Sequence, residues 1–263
     1  MSASPMTTES TVEEREAAYW DKIASELTDD DLRRQTVESG ADTQSRLELL
    51  GDIKGKKILD IGCGTGLWSV FLAQQGAEVW SVDISPGSVR ATERRANVQG
   101  LSERVHCSVQ SAVELDFPDG FFDAVHGQDI IHHLDPTEFG KEMARVLGPH
   151  GCAVFSENCA NDPLLMFARN YLCGRFGIPK WSSDDEYPLT RDRRALFVKP
   201  FARSEFRYPD FRYWHYLDAK LFQYKVKPIN LFCLGMDKFI YTALPFLRQN
   251  SYRQMVFAAD PVK

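Results

Sequence analysis

Two carboxylates and a run of glycines carry the first chemical signal in this chain. In Ile58-Leu59-Asp60-Ile61-Gly62-Cys63-Gly64-Thr65-Gly66 a short apolar segment ends in glycines at alternate positions. Such glycines let a backbone turn sharply and approach a ligand without Cβ clashes. The next apolar segment, Glu78-Val79-Trp80-Ser81-Val82-Asp83, also ends in an acid. A carboxylate at that place can take both hydroxyls of a ribose. Two ligand classes compete for the turn. A dinucleotide wants G-x-G-x-x-G, but Gly66 follows Gly64 after one residue, and Asp60 would repel a pyrophosphate. A ligand bearing an ammonium and a sulfonium, and no phosphate, reverses that sign. A bare strand–helix turn with no ligand explains the glycines but not the acids at two successive strand ends.

The surrounding segments must place these groups. Residues 12–50 read as helical, with Ala17, Tyr19, Trp20, Ile23 and Leu27 along one face and a second helix from Thr43 to Leu50 ended by Gly51. Strands follow at Lys57–Ile61, Glu78–Val82, Arg104–Val109, Phe121–Gly127 and Cys152–Ser156. Helices stand between them at Leu67–Gln75, Pro86–Gln99 and Pro136–Leu147. Alternation of this kind implies an α/β fold, a parallel sheet with helices on both faces. After Ala160 the rhythm breaks. Pro163–Gly174 reads as a helix, Ile178–Thr190 as a polar loop with an acidic run, and Arg191–Val198 as a short helix capped by Thr190. Phe206–Tyr216 reads as a strand, Ile229–Leu247 as an unusually apolar helix, and Arg253–Ala259 as a closing strand.

The segment Ile58–Gly66 with Asp83 resembles motif I and the following acidic residue of class I S-adenosylmethionine-dependent methyltransferases. The likeness continues through Phe117-Pro118-Asp119-Gly120-Phe121-Phe122-Asp123-Ala124-Val125, Ile130-Ile131-His132-His133-Leu134 and Arg145-Val146-Leu147-Gly148-Pro149-His150-Gly151. This order is similar to the quinone- and small-molecule-modifying branch. It implies a Rossmann-like doubly wound sheet of seven strands, the last antiparallel and supplied by Arg253–Ala259. N-terminal helices and C-terminal helical inserts would complete a cap. It further implies S-adenosylmethionine as cofactor. Asp60, Gly62, Gly64 and Gly66 would line its methionine end, Asp83 its ribose, Ser111 and Ala112 its adenine, with Cys63 and Ile84 as further cofactor contacts. Ser111 stands where the family usually has an acid, so Ala112 backbone is the stronger expected contact. Gln128 would lie where cofactor and acceptor meet, and Tyr19 would close over the cofactor or pack the first helix on the sheet.

Methyl transfer from a sulfonium is an in-line displacement, so a base is needed only when the nucleophile must lose a proton. His132 and His133, just past the fourth strand, are candidates for that base, or else structural parts of a turn. Glu157, ending the fifth strand, is a candidate to hold the acceptor. Asp129, His132 and His133 form a D-x-x-H-H pattern, a weak metal signal because adjacent side chains point different ways. No metal is expected.

Composition bounds the rest. The chain has 263 residues, 43% of them apolar, which excludes global disorder, and no apolar run reaches the length of a membrane span. Residues 1–12 read as a flexible tail, 13–160 as the cofactor-binding core, and 161–263 as acceptor-cap inserts with the last strands. Six cysteines without a CxxC pair, and a polar N-terminus, point to a reduced, cytoplasmic protein. The net charge of −6 is uneven: residues 161–263 hold 17 basic and 10 acidic side chains and 21 of the 31 aromatic ones. That composition suits a flat or lipophilic small acceptor, and the acidic remainder disfavours nucleic acid. Ile229–Leu247 could be a buried helix, a lid or a membrane-surface contact. The expected activity is methylation of a small aromatic or lipophilic acceptor. The alternatives are an RNA or protein methyltransferase, and a fold of this type that transfers no methyl group.

Overall fold

The computed structural model describes residues 12–171, 173–175 and 187–262. Residues 1–11 of the expected tail and the acidic run Asp184-Asp185-Glu186 lie outside the described residues, while Val12 already belongs to the first helix. The N-terminal region is three helices rather than two: α1 (Val12–Ser25), α2 (Asp29–Arg34) and α3 (Ala41–Leu50). Thr28 and Asp31 form a capping box that starts α2, and Gly51, at φ 68°, ends α3. The alternating region follows as β1 (Lys57–Ile61), α4 (Leu67–Gln74), β2 (Glu78–Asp83), α5 (Pro86–Val98), β3 (Val105–Val109), β4 (Phe122–Gln128), α6 (Pro136–Val146) and β5 (Leu147–Asn158). A 3₁₀ turn, Ile131–His133, joins β4 to α6. Beyond Ala160 come α7 (Pro163–Tyr171), α8 (Arg191–Val198), β6 (Phe201–Arg207), α9 (Trp214–Leu221), α10 (Lys227–Ala243) and β7 (Arg253–Pro261).

The sheet has the order β3-β2-β1-β4-β5-β7-β6, and β7 runs antiparallel to both neighbours. The Rossmann-like, doubly wound sheet expected from the sequence is therefore present, with its last strand antiparallel. Strand order reverses between β1 and β4, so a crevice opens at their carboxyl ends, the place where such sheets bind ligands. Side-chain alternation divides the core in two. Leu59 and Val125 join Phe139, Met143, Phe155 and Phe197 on one face, while Ile58 and Ala124 join Val70, Leu72 and Val154 on the other. Asp60 follows Ile58 in that alternation and is paired in register with His126, so two polar side chains enter the second face together.

Two expectations for the C-terminal region are corrected. Phe206–Tyr216 is not a strand: β6 ends at Arg207, and α9 begins at Trp214 after Pro209. The aromatic density mimics strand composition, but a buried carboxylate decides the local structure. Asp237 of α10 accepts the amides of Tyr213 (3.2 Å), Trp214 (2.9 Å) and His215 (2.8 Å), closing the start of α9. The helix expected over Ile229–Leu247 begins earlier and stops at Ala243, where Pro245 starts a 3₁₀ segment. Thr190 caps α8 as its position implied, accepting the amide of Arg193.

The Asp237 contacts yield a stability prediction. Asp237→Ala leaves three amides at the start of α9 without their acceptor and should lower unfolding free energy by about 2–3 kcal/mol. Urea denaturation of the two chains checks this.

Candidate active site

A cavity of about 340 Å³ occupies the crevice at the carboxyl ends of β1, β2 and β4. Its floor is the glycine turn. The amides of Gly62 and Cys63 both donate to Val82 O (2.8 and 3.1 Å), and that of Gly64 to Asp83 Oδ2 (2.9 Å). From the other side Thr92 Oγ1 donates to Gly64 O (3.0 Å) and the buried Arg95 Nε to Thr65 O (2.7 Å). The turn is thus held by β2 and α5 before any ligand arrives. Asp83 also accepts the amide of Ser85 (2.9 Å); burial raises its pKa, and those amides pull it back.

Gly62, Cys63, Gly64, Asp60, Asp83, Ile84, Ser111, Ala112 and Gln128 all line the cavity, as does His133. Four expected site residues do not. Gly66 stands outside the lining, at φ 78°, and a Cβ there would lie 2.8 Å from the Thr92 backbone. Its bareness serves the packing of the turn on α5. Tyr19 is exposed; Glu16 and Trp20, one helical turn apart on α1, form the wall instead. Glu157 is fully buried. Its Oε1 accepts the amides of Ile130 (2.8 Å) and Ile131 (2.9 Å), and its Oε2 accepts from His132 Nδ1 (2.7 Å). Both oxygens are committed to shaping the 3₁₀ turn, so Glu157 does not reach an acceptor. His132 is likewise turned inward, while His133 points to the cavity mouth with Nδ1 3.8 Å from Glu16.

α1 is fastened to the start of α5 through the Asp21 carboxylate. Asp21 Oδ1 accepts from Ser85 Oγ (2.6 Å) and from the Gly87 amide (2.5 Å) at the start of α5, and these bonds hold its pKa down.

Beneath the cavity lies a buried polar chain. Asp60 accepts from Ser69 Oγ (2.5 Å) and, through Oδ1, from His126 Nδ1 (2.7 Å). Arg46 of α3 donates from Nη1 to His126 Nε2 (3.1 Å), from Nη2 to Gln128 Oε1 (3.0 Å), and to Asp42. Because guanidinium only donates and carboxylate only accepts, the imidazole is fixed with its proton on Nδ1. Arg46 lies 4.2 Å over the Trp68 ring, whose Nε1 also donates to Gln128 Oε1 (3.2 Å). Asp42 continues the chain to Ser156 Oγ (3.0 Å), which accepts from Arg253 Nη2 (2.9 Å), and Arg253 Nη1 binds Asp129 Oδ1 (2.6 Å). Asp129 reaches the cavity from a left-handed backbone, φ 53°. Burial pushes its pKa up, but Arg253 outweighs this and holds it below the usual value.

Asp129, His132 and Glu157 bring one potential ligand atom each within 4.8 Å of one another. The pattern read from sequence is corrected in one member, His133 being replaced by Glu157. The Glu157 oxygens are taken by amides and His132, and Asp129 Oδ1 by the Arg253 guanidinium, so a cationic side chain already meets this cluster.

Residues 59–155 match the profile of the methyltransferase domain family. The segment from β1 to β5 is therefore similar to a methyltransferase domain. Tocopherol O-methyltransferase of Arabidopsis thaliana is 32% identical over 145 residues, covering 51% of this chain and 42% of that protein. The ubiquinone biosynthesis O-methyltransferase of Xanthomonas oryzae is 38% identical over 104 residues, covering 38% and 42%. The chain therefore spans about two fifths of the length of these curated relatives. In fold it matches the geranyl diphosphate C-methyltransferase of Streptomyces coelicolor over 97% of this chain and all of that one, with a TM-score of 0.62 at 15% identity.

Arg46, Asp42, His126, Arg253, Trp68, Trp20 and Glu16 were not singled out from sequence. A signal existed for some. His126 interrupts an otherwise apolar strand, Ala124-Val125-His126-Gly127, and Asp42 and Arg46 stand four apart on one helix.

The His126 environment sets a pH dependence. Burial lowers its pKa from the usual 6.5, and the neighbouring guanidinium also opposes protonation. The unfolded chain therefore takes up this proton at a higher pH than the folded one, and stability contributed here is complete above about 6.5 and lost as pH falls below it. His126→Asn should cost more stability at pH 7.5 than at pH 5.5, measured as the shift in urea midpoint at each pH.

Proposed function

We propose that this chain transfers the methyl group of S-adenosylmethionine to a small aromatic or lipophilic acceptor. One observation carries the reading. Among the described residues the cavity is lined by four carboxylates, Glu16, Asp60, Asp83 and Asp129, and by no lysine or arginine. A phosphate-bearing dinucleotide would meet only like charge there, whereas an ammonium and a sulfonium meet complementary charge. The donor fits in size as well, since a cavity of about 340 Å³ is within the range of small-ligand sites.

In this reading the amides and bare backbone of Gly62–Gly64 pack along the methionine end, with Asp60 supplying negative charge from beneath. Asp83 accepts the ribose hydroxyls, and Ile84, Ser111 and Ala112 flank the adenine. Trp20 and Glu16, rather than Tyr19, roof the site. Bound there, the cofactor supplies an electrophilic methyl group on a sulfonium. The chain aligns the acceptor and keeps water away, which is the main catalytic work in a displacement of this type. At the acceptor end, Asp129 is held ionised by Arg253 and accepts a hydrogen bond from the acceptor's hydroxyl or amine. His133, at the mouth, takes the proton when the nucleophile has one to lose. His132 and Glu157 act through the turn, as positioning residues. The aromatic inserts after Ala160 shape the acceptor's surroundings.

Calorimetric titration tests the donor assignment. Asp83→Ala should weaken S-adenosylmethionine binding by roughly 10- to 100-fold, the worth of charge-assisted hydrogen bonds. Trp20→Ala should weaken it while Tyr19→Ala leaves it unchanged. Labelled donor incubated with lipophilic phenols should pass its methyl group to one of them; binding without transfer to any acceptor would overturn the activity.

A further inference from the structure

α10 is built with its polarity reversed. Its inward line holds Asn230 and Asp237: Asn230 Nδ2 donates to Asp218 Oδ2 (2.8 Å), and Asp237 closes the start of α9. Its outward line is apolar. Leu231 is 69% exposed, Phe232 59% and Phe239 57%, and Phe246 in the following 3₁₀ segment is 67% exposed. Gly235 sits between them on the same side with open space where a Cβ would stand. An ordinary surface helix turns such side chains inward, and a contiguous exposed patch of this kind marks a contact surface.

The charges around the patch select its partner. Lys225, Lys227 and Lys238 are exposed beside it. Between residues 219 and 259 the sequence contains a single acid, Asp237, which is buried. A second copy of the chain applied symmetrically would set lysine against lysine, and the described residues of α10 and of the loop before it offer no exposed carboxylate to pair them. An anionic bilayer meets both features, taking the aromatic and aliphatic side chains into its interface and the lysines at its headgroups. No described helix is long and apolar enough to cross a membrane, so α10 would lie along the surface. We propose that the outer face of α10, continued by Phe246, is a docking surface for an anionic lipid bilayer. This rests on no assignment of the reaction.

Co-sedimentation of the full chain with vesicles tests it. Binding to phosphatidylcholine containing about 30% phosphatidylglycerol should exceed binding to phosphatidylcholine alone by at least ten-fold, and fall with added salt, since each lysine near such a surface contributes roughly five-fold. Leu231→Gln/Phe239→Gln should lose at least ten-fold of that binding. Lys225→Gln/Lys227→Gln/Lys238→Gln should abolish the preference for the anionic vesicles. Unchanged thermal melting and S-adenosylmethionine affinity would show that these exposed changes leave the fold intact. Three outcomes overturn the proposal: no binding to either vesicle, equal binding to both, or a dimer in light scattering that the Leu231/Phe239 variant dissolves.

Discussion

The structure depends on keeping a negative charge where water scarcely reaches it. Asp60 is 2% exposed at the tip of β1, beneath the glycine turn. A buried carboxylate needs hydrogen-bond partners from the protein, since water does not supply them. Ser69 and the Nδ1 proton of His126 supply those hydrogen bonds, and Arg46 in turn fixes the tautomer of His126. Parallel pairing of β1 with β4 sets Asp60 opposite His126, so sheet register itself delivers the partner. α3 then has to pack across that face of the sheet to bring in Arg46, which explains why the helices preceding β1 belong to the site as well as to the core.

The same polar chain ties the two ends of the cavity together. From Asp60 it runs through His126, Arg46, Asp42, Ser156 and Arg253 to Asp129, joining β1, β4, α3, β5 and β7. Its charges alternate along the run, each carboxylate lying against a guanidinium or an imidazole. Burial would otherwise raise the carboxyl pKa values, yet Asp42 and Asp129 are both held down by their arginines. A network satisfied at every step is rigid, and it sets the two ends of the cavity at a fixed separation. The antiparallel β7 matters for this reason: it carries Arg253 beside Asn158 and thus to the tip of the sheet.

Much of this was legible from residue types. The glycine turn, both strand-end acids and the alternation of short strands and helices report local geometry, and local geometry follows local sequence. What escaped was set by distant partners. Tyr19 and Trp20 are neighbours on one helix, and only the seating of α1 on α5 decides which faces the cavity. Glu157 reads as a strand-end acid that could hold an acceptor, but the turn after β4 folds back over it and consumes both oxygens. The aromatic run after Phe206 carries strand-like composition, and an acid more than twenty residues later, Asp237, makes part of it helical. Gly66 matched a ligand pattern, whereas the space it leaves is filled by Thr92.

The attachment of α1 has a consequence for how the site is put together. The roof over the cavity and the sheet beneath it are separate pieces, fastened where Asp21 grips Ser85 and Gly87. Lifting the roof breaks that clasp and leaves the polar chain under the glycine turn intact. Clasp and floor are thus made by different residues, so the bonds that seat the helix over the crevice are not those that shape the bend below it.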